Sequence, residues 1–178
     1  MYINEEALFD TIFKYINDLD TELESLNNEG IFFAPELYIA FGIGKEIMKK
    51  KEKIFVDTNI SWDREVKLNN GGLTDFLFHK TTGENKELIA VIELKLRNEY
   101  AAYKSDIEKL LNLNAKKCKK YFCVLLDSFT PENDDRLIKL ETNYSKEITR
   151  IKNESFKTKQ NWYKGQVYCI LNLYKVES

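Results

Sequence analysis

A chain of 178 residues is long enough to bury a core without disulfide or metal staples, and its length predicts one domain. With 43% hydrophobic and 31% charged residues it has the composition of an ordinary globular protein, and no apolar run approaches membrane-spanning length. The net charge of −2 is uneven: residues 1–30 hold eight acids against Lys14, a balance of −7 that leaves +5 for the remainder.

The first helix is predicted from Asn4, an N-cap followed by two acids that complement the helix dipole, to about residue 26. Leu8, Ile12, Ile16, Leu19, Leu23 and Leu26 recur at three- and four-residue spacing, and Asn27-Asn28-Glu29-Gly30 ends the element. Pro35 opens a second helix to about residue 50, with Leu37, Ala40, Phe41, Gly44 and Met48 on one stripe. Gly42 and Gly44 cost helix stability and point to close packing against another element. β-like runs follow at 54–62 and 64–68, then a turn at Asn69-Asn70-Gly71-Gly72. A hairpin comes next, with strands at 73–79 and 88–96 and its turn in Thr82-Gly83-Glu84-Asn85.

A third helix is predicted over 100–119, with Tyr103, Ile107, Leu110, Leu111 and Asn114 at helical spacing. The run 121–127 is continuously apolar, as in a strand buried on both faces. Pro131 starts a helix carrying Leu137, Leu140, Tyr144, Ile148 and Ile151, and 166–174 is a final strand. This order predicts an α/β (α+β) fold in one domain, residues 1–178. It has a mixed β-sheet flanked by helices, with the helix of residues 1–30 appended to the core.

The second hairpin strand is apolar except for Glu93 and Lys95, two residues apart and therefore on one face, while Ile92, Leu94 and Leu96 point to the other. Folding the hairpin symmetrically about Gly83-Glu84 sets Asp75 opposite Ile92, within one residue of Glu93. Charges isolated in an apolar strand need partners, because burying them costs several kcal/mol, roughly, unless they are paired or metal-bound. Two carboxylates and an amine on one patch are suited to Mg²⁺, which takes oxygen ligands, and to phosphate chemistry. His79 is the only histidine, which disfavours a Ser-His-Asp triad or a multi-histidine metal site. Cys118, Cys123 and Cys169 are odd in number and form no CxxC pair, so neither a disulfide framework nor a zinc site is indicated. Cys123 and Cys169 read as core residues.

Asp75, a spacer of 17 residues, then Glu93-Leu94-Lys95 resembles the motif of the PD-(D/E)xK nuclease superfamily, with Thr74 where the motif has proline. The resemblance extends over the organisation of residues 34–130. It implies a restriction-endonuclease-like fold with an αβββαβ core and metal-dependent phosphodiester cleavage, with DNA the substrate by resemblance while the residues themselves do not distinguish DNA from RNA. It further implies Mg²⁺, with Mn²⁺ as a substitute, held by Asp75 and Glu93, with Lys95 beside the attacking water. Glu36, on the helix before the meander, matches the place of a further metal-binding acid, although a first-turn acid also complements the helix dipole. On the third helix, Tyr103 and Lys104 are flanking candidates, whereas Lys104, Asp106 and Lys109 also read as a solvated helix face.

Other charges have simpler explanations. Lys116-Lys117 and Lys119-Lys120 read as complementing a helix C-terminus. Lys152, Lys157, Lys159 and Lys164, interleaved with Phe156, Trp162 and Tyr163, suit a nucleic-acid backbone and stacked bases, or a mobile surface loop. The expected partner is nucleic acid and not a membrane, with the acidic first helix available as a homodimer surface. Asn4-Glu5-Glu6 instead of a basic-then-apolar leader sets the expected location as cytoplasmic. The rival reading is a catalytically inactive nuclease-fold module that binds nucleic acid or a protein partner, its acids structural. A small interaction protein using its long first helix is the third.

Overall fold

The computed structural model describes residues 3–56, 58–68, 72–115, 117–132 and 134–177. Its helices are α1 (Glu5–Asn27), α2 (Glu36–Lys49), α3 (Lys51–Ile54), α4 (Tyr100–Leu111) and α5 (Asp135–Asn143). Its strands are β1 (Ile60–Asp63), β2 (Val66–Lys67), β3 (Leu73–Thr74), β4 (Phe76–Thr82), β5 (Asn85–Leu96), β6 (Lys119–Ser128), β7 (Ile148–Thr158) and β8 (Val167–Val176). Six strands make a mixed sheet in the order β1-β4-β5-β6-β8-β7, and β2 pairs only with β3 in a separate ribbon. Every pairing in the large sheet is antiparallel except β5 with β6, which α4 connects as a crossover helix. The chain is thus of mixed α/β class with helices against both faces of one sheet.

Alternation along the strands creates the two cores. Ile92 and Leu94 of β5, Tyr121, Cys123 and Leu125 of β6, and Leu171 and Leu173 of β8 face α1 and α2. Val91, Phe122, Val124, Ile170 and Tyr174 face α4 and α5. Residues of β6 from Tyr121 to Leu126 are at most 1% exposed, the two-sided burial that their unbroken apolar run predicts. α1 inserts Leu8, Phe9, Ile12, Ile16 and Leu19 into the first core. The two helix glycines have the expected reason: a Cβ on Gly42 would meet the Tyr15 ring, and one on Gly44 would stand 2.0 Å from Trp62. Cys118, Cys123 and Cys169 are buried free thiols. Among the described residues no helix is long and apolar enough to cross a membrane.

Four element boundaries depart from the sequence expectation. The run 54–62 is not one strand: α3 ends at Ile54, which is wholly buried, and pairing begins at Ile60. The run 64–68 contributes only the two residues of β2. Of the expected turn at 69–72, residues 69–71 lie outside the described residues. α4 stops at Leu111, capped by Asn112, instead of continuing to 119, because Lys119 is already paired with Ala90 in the parallel ladder. Lys119 and Lys120 therefore begin a strand and do not complement a helix terminus, and Lys116 lies outside the described residues.

The fourth departure is the largest. The helix expected from Pro131 through Ile151 is only α5, capped by the Asp134 side chain, and Ile148 and Ile151 belong to β7. β7 is an edge strand of largely intermediate exposure, bulged between Arg150 and Lys152, so its charges and interrupted alternation concealed it. It pairs through its length with β8, which extends to Val176. Of the basic stretch, residues 152–158 are therefore sheet, and residues 159–166 connect β7 to β8.

Candidate active site

The hairpin register places the acids. Gly83, at a φ of 63°, turns β4 into β5, and the strands pair from Thr82 with Asn85 to His79 with Leu88. A β-bulge between Phe78 and His79 then advances β5 by one residue, so Phe76 stands opposite Ile92. Continuing that register sets Asp75 level with Glu93, not with Ile92 as symmetric folding predicts. Ile89 is the residue left over, and it is buried in the first core.

β5 outlasts β4 at this end, which leaves the N–H groups of Leu94 and Leu96 without strand partners on that side. Carboxylates take both. Leu94 N–H donates to Asp75 Oδ2 at 2.8 Å, and Leu96 N–H donates to Glu36 Oε2 at 2.8 Å. Arg97 N–H turns the other way, donating to Leu125 O at 2.8 Å. Glu36 reaches this edge because Pro35 fixes the start of α2, so a first-turn acid is held against the strand end. Asp75 and Glu36 thereby accept from N–H groups about 7 Å apart along one strand edge.

Glu93 and Lys95 face α4, and α4 answers each with the opposite charge. Lys109 Nζ lies 2.6 Å from Glu93 Oε1, and Lys95 Nζ lies 3.1 Å from Asp106 Oδ2. Lys109 also donates to the backbone oxygen of Leu73. Asp106 and Lys109 were expected on a solvated helix face, yet each side chain is only 14% exposed. A signal was present for Asp106, which lies one helical turn from Tyr103 and from Leu110 on the buried stripe, with Lys109 one turn from Asp106. The two residues that the sequence nominated on this helix are elsewhere. The Tyr103 hydroxyl accepts from Asn98 N–H at 3.2 Å inside the second core, and exposed Lys104 pairs with Glu108 at 3.5 Å.

Burial dominates the electrostatics. The carboxyl of Glu93, 2% exposed, is pushed up to about 8 by burial and then by Asp75, with Lys109 opposing. Burial also raises Asp75, against the Leu94 N–H bond and the cations of Lys109 and Lys95. Glu36 rises for the same first reason, against the Leu96 N–H bond and Lys95. Burial works against the charge of Lys95, but Asp106, Glu36 and Asp75 together hold its pKa above the usual lysine value. Asp75, Glu93, Glu36 and Asp106 thus share one electrostatic neighbourhood with Lys95 and Lys109.

This donor set fits a hard cation in part. Buried Glu93 and half-buried Asp75, both raised by burial, gain from an adjacent positive charge, and the hydroxyl of Thr74, next to Asp75 in the chain, is fully buried with no hydrogen-bond partner among the described residues. Among the described residues no group of three or more acid, histidine or cysteine side chains is placed to hold an ion. Mg²⁺ needs only one or two carboxylates and fills its remaining positions with water and phosphate oxygen. Asp75 and Glu93 are the pair available for that role.

The C-terminal basic residues divide. Lys152 is committed to Asp10 at 2.8 Å and Glu154 at 2.7 Å, and Phe156 packs on Phe13. Lys157, Lys159 and Lys164 are exposed, as is Trp162. No known protein-family profile, curated protein or solved structure matches this chain.

Proposed function

We propose that this protein is a divalent-metal-dependent nuclease of restriction-endonuclease-like fold that cleaves phosphodiester bonds, with DNA as its substrate. The observation that carries this reading is the β4–β5 register, which when continued one residue sets Asp75 level with Glu93, two residues before Lys95 on β5. The meander β1-β4-β5, the crossover α4 and the parallel β6 supply the core order expected for that fold.

Asp75 and Glu93 would hold Mg²⁺, which when bound supplies a Lewis acid for phosphate oxygen and lowers the pKa of water. Asp75 is oriented by Leu94 N–H, so its carboxylate is set before any ligand arrives. Glu36 is oriented by Leu96 N–H and adds negative potential at the strand end. Lys95 stays protonated under the influence of Asp106 and offers a fixed cation to the charge that builds on a phosphate. The closed second core behind α4 keeps bulk water from the buried side of Glu93.

The ion pair of Lys109 with Glu93 favours a second reading, because it neutralises the acid without metal, as in an inactive module of the same fold. Incubating the protein with labelled DNA and RNA, each single- and double-stranded, in Mg²⁺, Mn²⁺ or chelator separates the two. The nuclease reading expects cleavage that needs the ion and is lost in Asp75→Asn and Glu93→Gln with folding intact. Absence of both cleavage and calorimetric Mn²⁺ binding would leave the inactive module.

A further inference from the structure

Immediately beyond the site, β5 delivers Arg97 into a stack of aromatic rings. Its guanidinium lies 5.2 Å from the centroid of Phe32 and 5.0 Å from that of Trp162. Arg97 holds a φ of 33°, a left-handed conformation that a bulky residue adopts at a cost and that requires support from its surroundings. The stack continues outward: Trp162 meets Tyr163 at 6.1 Å, and Tyr163 meets Phe129 edge-on at 5.3 Å. Tyr163 is fixed from below by its hydroxyl, which bonds to Asp127. Yet the outer rings are not covered, with Trp162 50% and Phe129 64% exposed.

Beside these rings lies an open cavity of about 540 Å³ lined by Arg97, Asn98, Glu99, Asp127, Arg136 and Tyr163. It opens past the carboxyl ends of the two parallel strands β5 and β6, the place where α/β sheets present ligands. Of its acids, Asp127 is already engaged by Tyr163 and lies 3.7 Å from Arg136. The exposed Lys164 follows the rings directly. Rings held in place but left open, next to guanidinium groups, recognise one chemistry well: a base with its π-face free and a phosphate attached. A base inside a duplex has its faces covered by its neighbours, so an unpaired base is the occupant that fits.

We propose that Trp162 and Phe129, supported by Arg97 and Tyr163, form a stacking platform for unpaired nucleotides of the strand presented at Asp75 and Glu93. The platform rests on the nuclease reading for its link to cleavage, and makes single-stranded DNA, or a duplex with a single-stranded extension, the substrate class. The strand would run from the carboxylate pair past Lys95 to the rings, with its phosphates beside Arg97 and its bases against Trp162.

The test is binding in chelator, where no cleavage intervenes, with labelled 12-mer oligothymidylate and a blunt 12-base-pair duplex. Expected are about 10-fold or tighter binding of the single strand, quenching of tryptophan fluorescence, and a loss of about 10-fold in Trp162→Ala, with a smaller loss in Phe129→Ala. Trp162→Phe, which keeps a ring, should restore most of the affinity and controls for loop misfolding. Equal binding of single strand by wild type and Trp162→Ala, or a preference for the blunt duplex, would overturn the platform. Cleavage assays in Mn²⁺ keep the two ideas apart. Metal-dependent cleavage that ignores Trp162 sinks the platform alone, whereas Trp162-dependent binding without any cleavage sinks the nuclease reading alone.

Discussion

The ammonium of Lys109 lies 2.6 Å from a carboxylate oxygen of Glu93, joining α4 to β5 with the two side chains only 14% and 3% exposed. Nothing in a strand interior supplies such a partner, so the helix that crosses from β5 to β6 must bring it. Lys109 is the group that favours ionised Glu93, so replacing it leaves a buried acid that keeps its proton to still higher pH. At pH 9, where Glu93 is ionised, Lys109→Met should therefore cost about 2–3 kcal/mol in urea unfolding of metal-free protein, somewhat below the cost of halving a fully buried pair because protonation relieves part of it. Lys104→Met, which removes the exposed pair with Glu108, should cost under about 0.5 kcal/mol. Equal effects of the two changes would show that the Glu93 pair is not a stabilising contact.

The same acid makes stability depend on pH in a definite direction. Glu93 is raised from 4.5 to about 8 in the fold, so across that interval the native chain holds a proton that the unfolded chain has released. The neutral acid is therefore favoured at low pH, and stability attributable to Glu93 falls as pH rises from about 4.5 to about 8. Metal-free protein should melt at a lower temperature at pH 8.5 than at pH 6, and Glu93→Gln should flatten that slope. Divalent ions, binding the ionised form, should raise the melting temperature most at the alkaline end. A wild-type profile rising through this window would contradict the assignment.

Lys95 has a contact role and a charge role that can be separated. Its stem lies along the sheet and its ammonium is held by Asp106 at 3.1 Å. Lys95→Met should leave metal affinity intact, since ammonium is no ligand, while turnover falls by ~10²-fold or more. Asp106→Asn should lower kcat by about 10-fold through a misplaced Lys95 with little change in KM, and Asp106→Glu should recover part of it. Calorimetry beside single-turnover kinetics reads both roles. Near-wild-type turnover in Lys95→Met would reduce that residue to a counter-ion for Asp106.

Gly44 offers a test of packing away from the chemistry. Helix propensity alone makes Gly→Ala favourable by about 1 kcal/mol. Here the new methyl would fall 2.0 Å from the Trp62 ring, which itself stacks on Phe76. Gly44→Ala should instead destabilise by about 1–3 kcal/mol in chemical unfolding, because the overlap displaces a ring. A stabilised variant would mean that α2 and β1 can separate freely.

Much of this arrangement was legible in the chain. Strong period-3.6 and apolar runs identified α1, α2 and β6, and the isolated charges of β5 singled out Glu93 and Lys95. What stayed hidden depended on contacts between elements. β7 carries charges on an edge and so shows no clean alternation. Asp106 and Lys109 look like ordinary surface residues until the strand they cover is known. Asp134 serves as the N-cap of α5, and Pro131 three residues earlier drew the helix start too far forward.

The bulge at Ile89 decouples the hairpin tip from the carboxylate pair. It acts as a phase shifter between the hairpin tip and the carboxylate pair: with it, Asp75 stands beside Glu93, and without it Asp75 would face a residue committed to the opposite layer. The tip beyond the bulge, centred on Gly83 and with nothing within 4 Å of the position a Cβ would take there, is therefore insulated from the chemistry. Lengthening or reshaping that tip leaves the acids in step, whereas deleting a single buried isoleucine about 14 Å along the strand from Glu93, four residues at roughly 3.4 Å each, would put them out of step. A variant with a lengthened tip therefore keeps its acids in register as long as the interval from the bulge to Glu93 is unchanged.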